Sequence, residues 1–151
     1  MTRIKVSNGG QGMQANATTT TLTTQNLWYK VAGTTSATNT GIRVDNTTTS
    51  NKLIYKGTTT THFHVVSNHD FTCSANNQLL EFELRKNGTV SAPVPVGRKV
   101  STGTDQGAMS VHTDTMLDTD DYIELWARNT TSSGTTITVV NMYLFIMGMF
   151  N

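Results

Sequence analysis

Tyr122-Ile-Glu-Leu-Trp-Ala-Arg128, followed after a polar gap by Thr135-Thr-Ile-Thr-Val-Val-Asn-Met-Tyr-Leu-Phe-Ile-Met147, sets the reading of the whole chain. In the first segment Ile123, Leu125 and Ala127 fall on one face and Glu124, Trp126 and Arg128 on the other, the period-two pattern of a half-buried strand. The second segment is apolar on both sides. Strict alternation puts Ile137, Val139, Tyr143, Phe145 and Met147 on one face and Val140, Met142, Leu144 and Ile146 on the other. A domain of 151 residues cannot bury both faces of a strand in its own core unless a further layer covers the second one. The simplest cover is another copy of the chain, so the sequence predicts a self-associating β-sandwich.

Composition supports an all-β chain. Apolar residues make up 36% and charged residues only 14%, while threonine occupies 30 positions. β-Branched threonine is stiff at χ1 and fits a pleated sheet, and its hydroxyl keeps the surface wet. No stretch of ten or more residues sustains a 3.6-residue apolar period, so helix is expected to be almost absent. The formal net charge is +1 with scattered Lys and Arg, which argues against a nucleic-acid partner. The opening residues lack an apolar signal region and no long apolar run follows, so synthesis in a cytoplasm and no membrane partner are expected. The single Cys73 excludes an internal disulfide and reads as a buried structural thiol.

Residues 1–26 are rich in Gly, Thr, Gln and Asn and read as an extended N-terminal arm, with 27–151 as the sandwich domain. Strands are expected at Leu27 to Val31, Gly41 to Asp45, Lys52 to Lys56, Thr61 to Cys73 and Gln78 to Arg85. Asn87-Gly88 is the strongest turn signal, because both residues tolerate the positive φ of a type I′ hairpin. Shorter strands follow at Arg98 to Ser101 and Met109 to Thr113, before the two segments quoted above. Local spacing pairs those two segments as a hairpin across Asn129 to Gly134.

The ordered motifs Trp28-Tyr-Lys30, Lys52-Leu-Ile-Tyr-Lys-Gly57, Glu81-Phe-Glu-Leu-Arg-Lys-Asn-Gly88, Asp120-Asp-Tyr-Ile-Glu-Leu-Trp-Ala-Arg-Asn-Thr130 and Ile137-Thr-Val-Val-Asn-Met-Tyr-Leu144 resemble a domain recurrent in tailed-phage and other viral structural proteins. That domain is similar in fold to the C1q/tumour-necrosis-factor jelly roll, and the resemblance spans roughly residues 26 to 147. It implies a ten-stranded Greek-key jelly-roll β-sandwich assembled as a homotrimer about a three-fold axis. It also implies that the last two strands lie in opposite sheets, against the hairpin reading.

On that basis Trp126, Tyr143, Phe145, Met147 and Phe150 are the expected trimer interface. Burying several hundred Å² of apolar surface at ~25 cal/mol per Å² is an association term of many kcal/mol. His62 and His64 share a strand face, and one such histidine from each of three chains would make a three-nitrogen zinc site. Ordinary surface or interface histidines are the preferred reading, as they are for His69 and His112. Asp114, Asp118, Asp120, Asp121 and Glu124 form the one acidic cluster, read as a solvated turn over a calcium loop. Glu81 and Glu83 read as solvated strand carboxylates, and the Asn16, Asn46, Asn87 and Asn129 sequons as by-products of composition. Neither cofactor nor resident metal is expected, and no nucleophile-base motif points to an enzyme.

The functional expectation is a structural virion protein, a homotrimeric capsid decoration or cement protein on the outer capsid surface. Its partner would be the major capsid protein, contacted through Arg3, Ile4, Lys5 and Val6 of the arm. The alternative is the receptor- or carbohydrate-binding tip of a phage head or tail fibre, with the loops from Asn87 to Gly97 and Gly103 to Gly107 facing the host. A soluble signalling ligand of the C1q kind is a third reading, weakened by the missing leader.

Overall fold

A computed structural model describes residues 8–40, 44–47, 51–90, 94–101 and 104–149. The described residues form thirteen strands and no helix. In chain order these are β1 (Asn8–Met13), β2 (Thr20–Leu22), β3 (Tyr29–Lys30), β4 (Ser36–Thr40), β5 (Val44–Thr47), β6 (Lys52–Tyr55) and β7 (Thr61–Cys73). They continue with β8 (Gln78–Lys86), β9 (Thr89–Val90), β10 (Val96–Val100), β11 (Gly107–Leu117), β12 (Tyr122–Asn129) and β13 (Thr135–Gly148). The first sheet runs in the order β11, β7, β13, β1, β4, with β2 paired to the start of β13. The second runs β10, β8, β12, β6, β5, with β3 on β12 and β9 on β8. Every ladder in both sheets is antiparallel.

The two segments that anchor the sequence reading lie in different sheets, β12 in the second and β13 in the first. The hairpin expected from local spacing does not form, and the side chain of Asn129 shows what replaces it. Asn129 is fully buried, donates to Gln78 Oε1 at 2.8 Å and Thr135 Oγ1 at 2.9 Å, and accepts from the Thr131 N–H at 2.8 Å. One amide thus ties the end of β12, the start of β8 and the start of β13 around a crossover corner. The Asn87-Gly88 turn does form, with φ of 52° and 74°, and joins β8 to β9 as a two-residue hairpin.

Two expectations are corrected by strand pairing. Within the segment assigned to an arm by composition, Asn8–Met13 and Thr20–Leu22 pair into the first sheet, so among the described residues the sandwich already includes Asn8 rather than starting at residue 27. Glycine is what lets β1 fit: a Cβ on Gly10 would stand 3.0 Å from the Leu144 carbonyl oxygen and 3.1 Å from the Tyr143 hydroxyl. Gly10, which read as slack backbone, is a bed for the Tyr143 side chain. Arg3, Ile4, Lys5 and Val6 lie outside the described residues.

The second correction concerns the faces of β13. Its register against β7 slips between Val139 and Asn141, a β-bulge that leaves Val140 as the extra residue. The slip reverses the alternation, so Ile137 and Val139 share the core with Met142, Leu144 and Ile146, while Tyr143, Phe145 and Met147 face out. The bulge is held by side-chain amides. Asn141 gives its backbone and side-chain N–H to the two oxygens of Asp70 at 3.0 and 2.9 Å. Asn16 donates to the carbonyls of Val140 and Val139, both at 2.9 Å.

Between the sheets lie Tyr55, Phe63, Phe71, Phe82, Leu84, Leu117, Ile123 and Leu125, all essentially inaccessible. Cys73 is buried as expected, and burial raises its thiol pKa. His69 is the unexpected member of this core. It packs 4.6 Å from the Phe82 ring, its Nδ1 meets Ser67 Oγ at 3.2 Å, and its Nε2 has no hydrogen-bond partner among the described residues. Burial pushes its pKa from 6.5 down to about 4, so the folded imidazole is neutral. Because the unfolded chain takes up the proton first, this contribution to stability is complete above pH 6.5 and is lost as pH falls toward about 4. At 1.36 kcal/mol per pKa unit the loss is about 3 kcal/mol. Urea midpoints measured across that window should fall more steeply for the wild type than for His69→Gln; parallel curves would refute the assignment.

Candidate functional site

Cross-strand register lines up the outward side chains of the first sheet in rows. Tyr143 stands opposite Asn68 and then Ser110; Phe145 opposite Val66 and then His112; Met147 opposite His64 and then Asp114. On the other side of β13 the same three residues face Gly12, Gly10 and Asn8 of β1. Tyr143 and Phe145 stack with centroids 6.0 Å apart and planes 16° from parallel. Tyr143 is 37% exposed and Met147 45%, with Val66 and Phe145 half-buried among them. This apolar strip runs along the outside of a sheet, and no second layer of the described residues covers it.

Of the five residues expected at a self-association face, the structure brings together Tyr143, Phe145 and Met147. Phe150 lies outside the described residues. Trp126 is on β12, pointing out from the opposite sheet, so it does not share a face with the other three. It belongs to a layer of aromatic rings and charges. The Arg85 guanidinium lies 4.5 Å from the Trp126 ring and 5.3 Å from that of Trp28, and Arg128 lies 4.7 Å from Trp28. Glu83, expected to be solvated, is only 2% exposed and accepts from Arg85 Nε at 2.6 Å. Glu124 is equally enclosed: it accepts from Trp126 Nε1 at 3.1 Å and pairs with Lys30 Nζ at 2.6 Å. Glu81 meets Arg128 at 2.6 Å. Antiparallel pairing explains part of the match, since it sets Glu81 opposite Arg128, while Glu83 takes Arg85 two residues along its own strand and Glu124 takes Lys30 of β3. Every carboxylate in this layer has a cation, so its chemistry is internal neutralisation.

The acidic turn is also neutralised from within. Asp120, at φ 69°, pairs with Lys56 at 2.7 Å, and Asp121 pairs with Lys86 at 2.6 Å and accepts from Asn87 at 2.6 Å. Although partial burial opposes it, the Lys86 and Asn87 hydrogen bonds hold the Asp121 carboxyl below its usual pKa. Thr60 donates to Asp118. These contacts tie the β11–β12 turn to neighbouring loops, the role of a solvated turn. Among the described residues no cluster of three His, Cys, Asp or Glu side chains is arranged to hold a metal ion.

An open groove of about 790 Å³ lies at the bulge end of the apolar strip, lined by Asn68, Asp70, Ser110, Asn141 and Tyr143. Among its polar groups Asp70 pairs with Asn141 and Ser110 with Asn68. The two sheets, their strand order and the crossover from β12 to β13 define a jelly-roll β-sandwich of the C1q/tumour-necrosis-factor kind.

Known structures share that architecture. The chain is similar to Eiger TNF from S. frugiperda, with TM-score 0.55 and 10% identity over 98% of this chain and 95% of that one. Murine APRIL gives TM-score 0.58 and 8% identity over 94% and 99% of the two chains. The PRD1 vertex protein P5 gives 0.51 and 7% over 99% and 100%. At such identities the likeness shows the fold alone. No family model matches the chain, and no curated protein matches it in sequence.

Proposed function

We propose that the protein is a structural component of a virion, a homotrimer that binds the outer surface of a capsid shell as a decoration or cement protein. The observation that carries this reading is the uncovered strip of Tyr143, Phe145, Met147 and Val66, a row of apolar side chains on an outer sheet face of the kind that marks a protein–protein surface. The likeness to the PRD1 vertex protein P5 supports a virion setting. In this reading the protein has no catalytic role; it acts by mass action, because a protein that binds only the assembled shell stabilises it by its binding free energy over many copies. The partner is the major capsid protein, and the segment bearing Arg3, Ile4, Lys5 and Val6 supplies part of the contact.

Electron microscopy of virions tests it: copies distributed over the shell are expected, and a few copies at one vertex or on the tail would overturn decoration. Those outcomes would favour the receptor- or carbohydrate-binding tip, for which the Trp28 and Trp126 layer is the supporting observation. Deleting residues 1–7, which leaves β1 intact, should abolish shell binding while the trimer persists.

A further inference from the structure

We infer that His64 and His112 together form a binding site for a divalent transition metal of the zinc class, on the outward face of the first sheet. The two residues are 48 apart in sequence, and the register of β7 with β11 sets them on neighbouring rows of that face. His64 Nε2 and His112 Nδ1 face each other at 3.4 Å, with ring centroids 5.5 Å apart and planes at 42°. That separation is long for a hydrogen bond and is what a shared metal requires: two Zn–N bonds of about 2.0–2.1 Å at a tetrahedral angle place their nitrogens roughly 3.3–3.4 Å apart.

The proton inventory fits as well. His64 Nδ1 lies 2.6 Å from Asp114 Oδ1, so in the neutral tautomer whose Nδ1–H is given to this carboxylate the Nε2 lone pair faces His112. A carboxylate behind a ligating imidazole is the arrangement that fixes tautomer and ring orientation in zinc sites and raises ligand basicity. His112 is exposed, so water can satisfy its Nε2 proton while Nδ1 faces His64. His62 is on the same face, yet its row is shared with Met116, so the ligand pair is His64 with His112 rather than His62 with His64. Water completes the coordination in a single chain. The site lies on the same outer face as the proposed assembly strip, His64 directly opposite Met147 and His112 in the row of Val66 and Phe145.

Isothermal titration of tag-free, chelator-treated protein with Zn²⁺, repeated with Co²⁺ and read by its visible absorption, tests the inference. Uptake of one ion per chain is expected. His64→Ala and His112→Ala should each remove it, Asp114→Asn should weaken it by about 10–100-fold, and His62→Ala should leave it within a few-fold of wild type. Wild type that binds no ion even at millimolar zinc, histidine variants that bind as wild type does, or loss of binding in His62→Ala alone would overturn it. Should a variant fail to fold by circular dichroism, nitrogen-15 imidazole spectra of the wild type decide instead. Zinc must then shift His64 Nε2 and His112 Nδ1 and leave His62 unchanged.

Discussion

Under the proposed assembly, Phe145→Asp combined with Met147→Asp is expected to give monomers that remain folded. Both side chains point away from the core, and the inward neighbours Leu144 and Ile146 that hold β13 in the sandwich are untouched. In the assembled state, however, each aspartate would face the apolar strip of a neighbouring copy. Taking a carboxylate out of water without a partner costs several kcal/mol per ion, and each 1.4 kcal/mol is a factor of ten in association. Two such charges per chain therefore weaken assembly by many orders of magnitude. Multi-angle light scattering checks the result, with a thermal melt to show that the fold survives. Persistence of the trimer in the double variant, or a monomeric wild type at micromolar concentration, would sink the proposed assembly face.

Phe82→Ala should be the most damaging single substitution in the core. The Phe82 ring is fully inaccessible and lies 4.7 Å from Phe71 and 4.6 Å from His69, on the line where the two sheets meet. Truncating a buried phenylalanine costs about 3–5 kcal/mol through lost transfer energy and a residual cavity. For a chain of this size each kcal/mol lowers the melting temperature by roughly 2–4 °C. The substitution has a second signature. Phe82 is one of the walls that keep His69 dry, so water admitted to the cavity raises the His69 pKa toward its ordinary value and flattens the acid-side loss of stability. Denaturant titrations in the monomeric double-aspartate background separate this effect from assembly. A stability loss under about 1 kcal/mol would show that the two sheets do not pack through this ring.

Much of the fold was legible in residues close together in the chain. Ile123, Leu125 and Ala127 alternate in the sequence and are buried in β12; the Asn87-Gly88 pair called for positive φ and has it. The failures have a common origin in pairing between distant strands. Gly9, Gly10 and Gly12 looked like loose backbone because nothing near them in sequence shows that β13 and β4 flank them. The faces of β13 were misassigned beyond Val139 because a bulge inserts one residue into a period-two count, and its cause, Asp70 with Asn16, sits elsewhere in the chain. Glu83 and Glu124 looked solvated, since the cations and rings that enclose them come from other residues and other strands.

The candidate site divides the same way. That β13 has apolar side chains on both faces follows from its sequence pattern, because nine of its fourteen residues are apolar and Met142 to Met147 run without a polar break. Which residues share that side was decided by the tertiary structure. It kept Tyr143, Phe145 and Met147 together, sent Trp126 to the opposite sheet, and brought His64 to His112 and Asp114 across 48 and 50 residues. The physical reason is range: backbone propensity and side-chain period act over two to four residues, and the sequence carries them openly. Strand order, bulges and cross-strand neighbours are set by the packing of the whole sandwich, and become visible only once both sheets have formed.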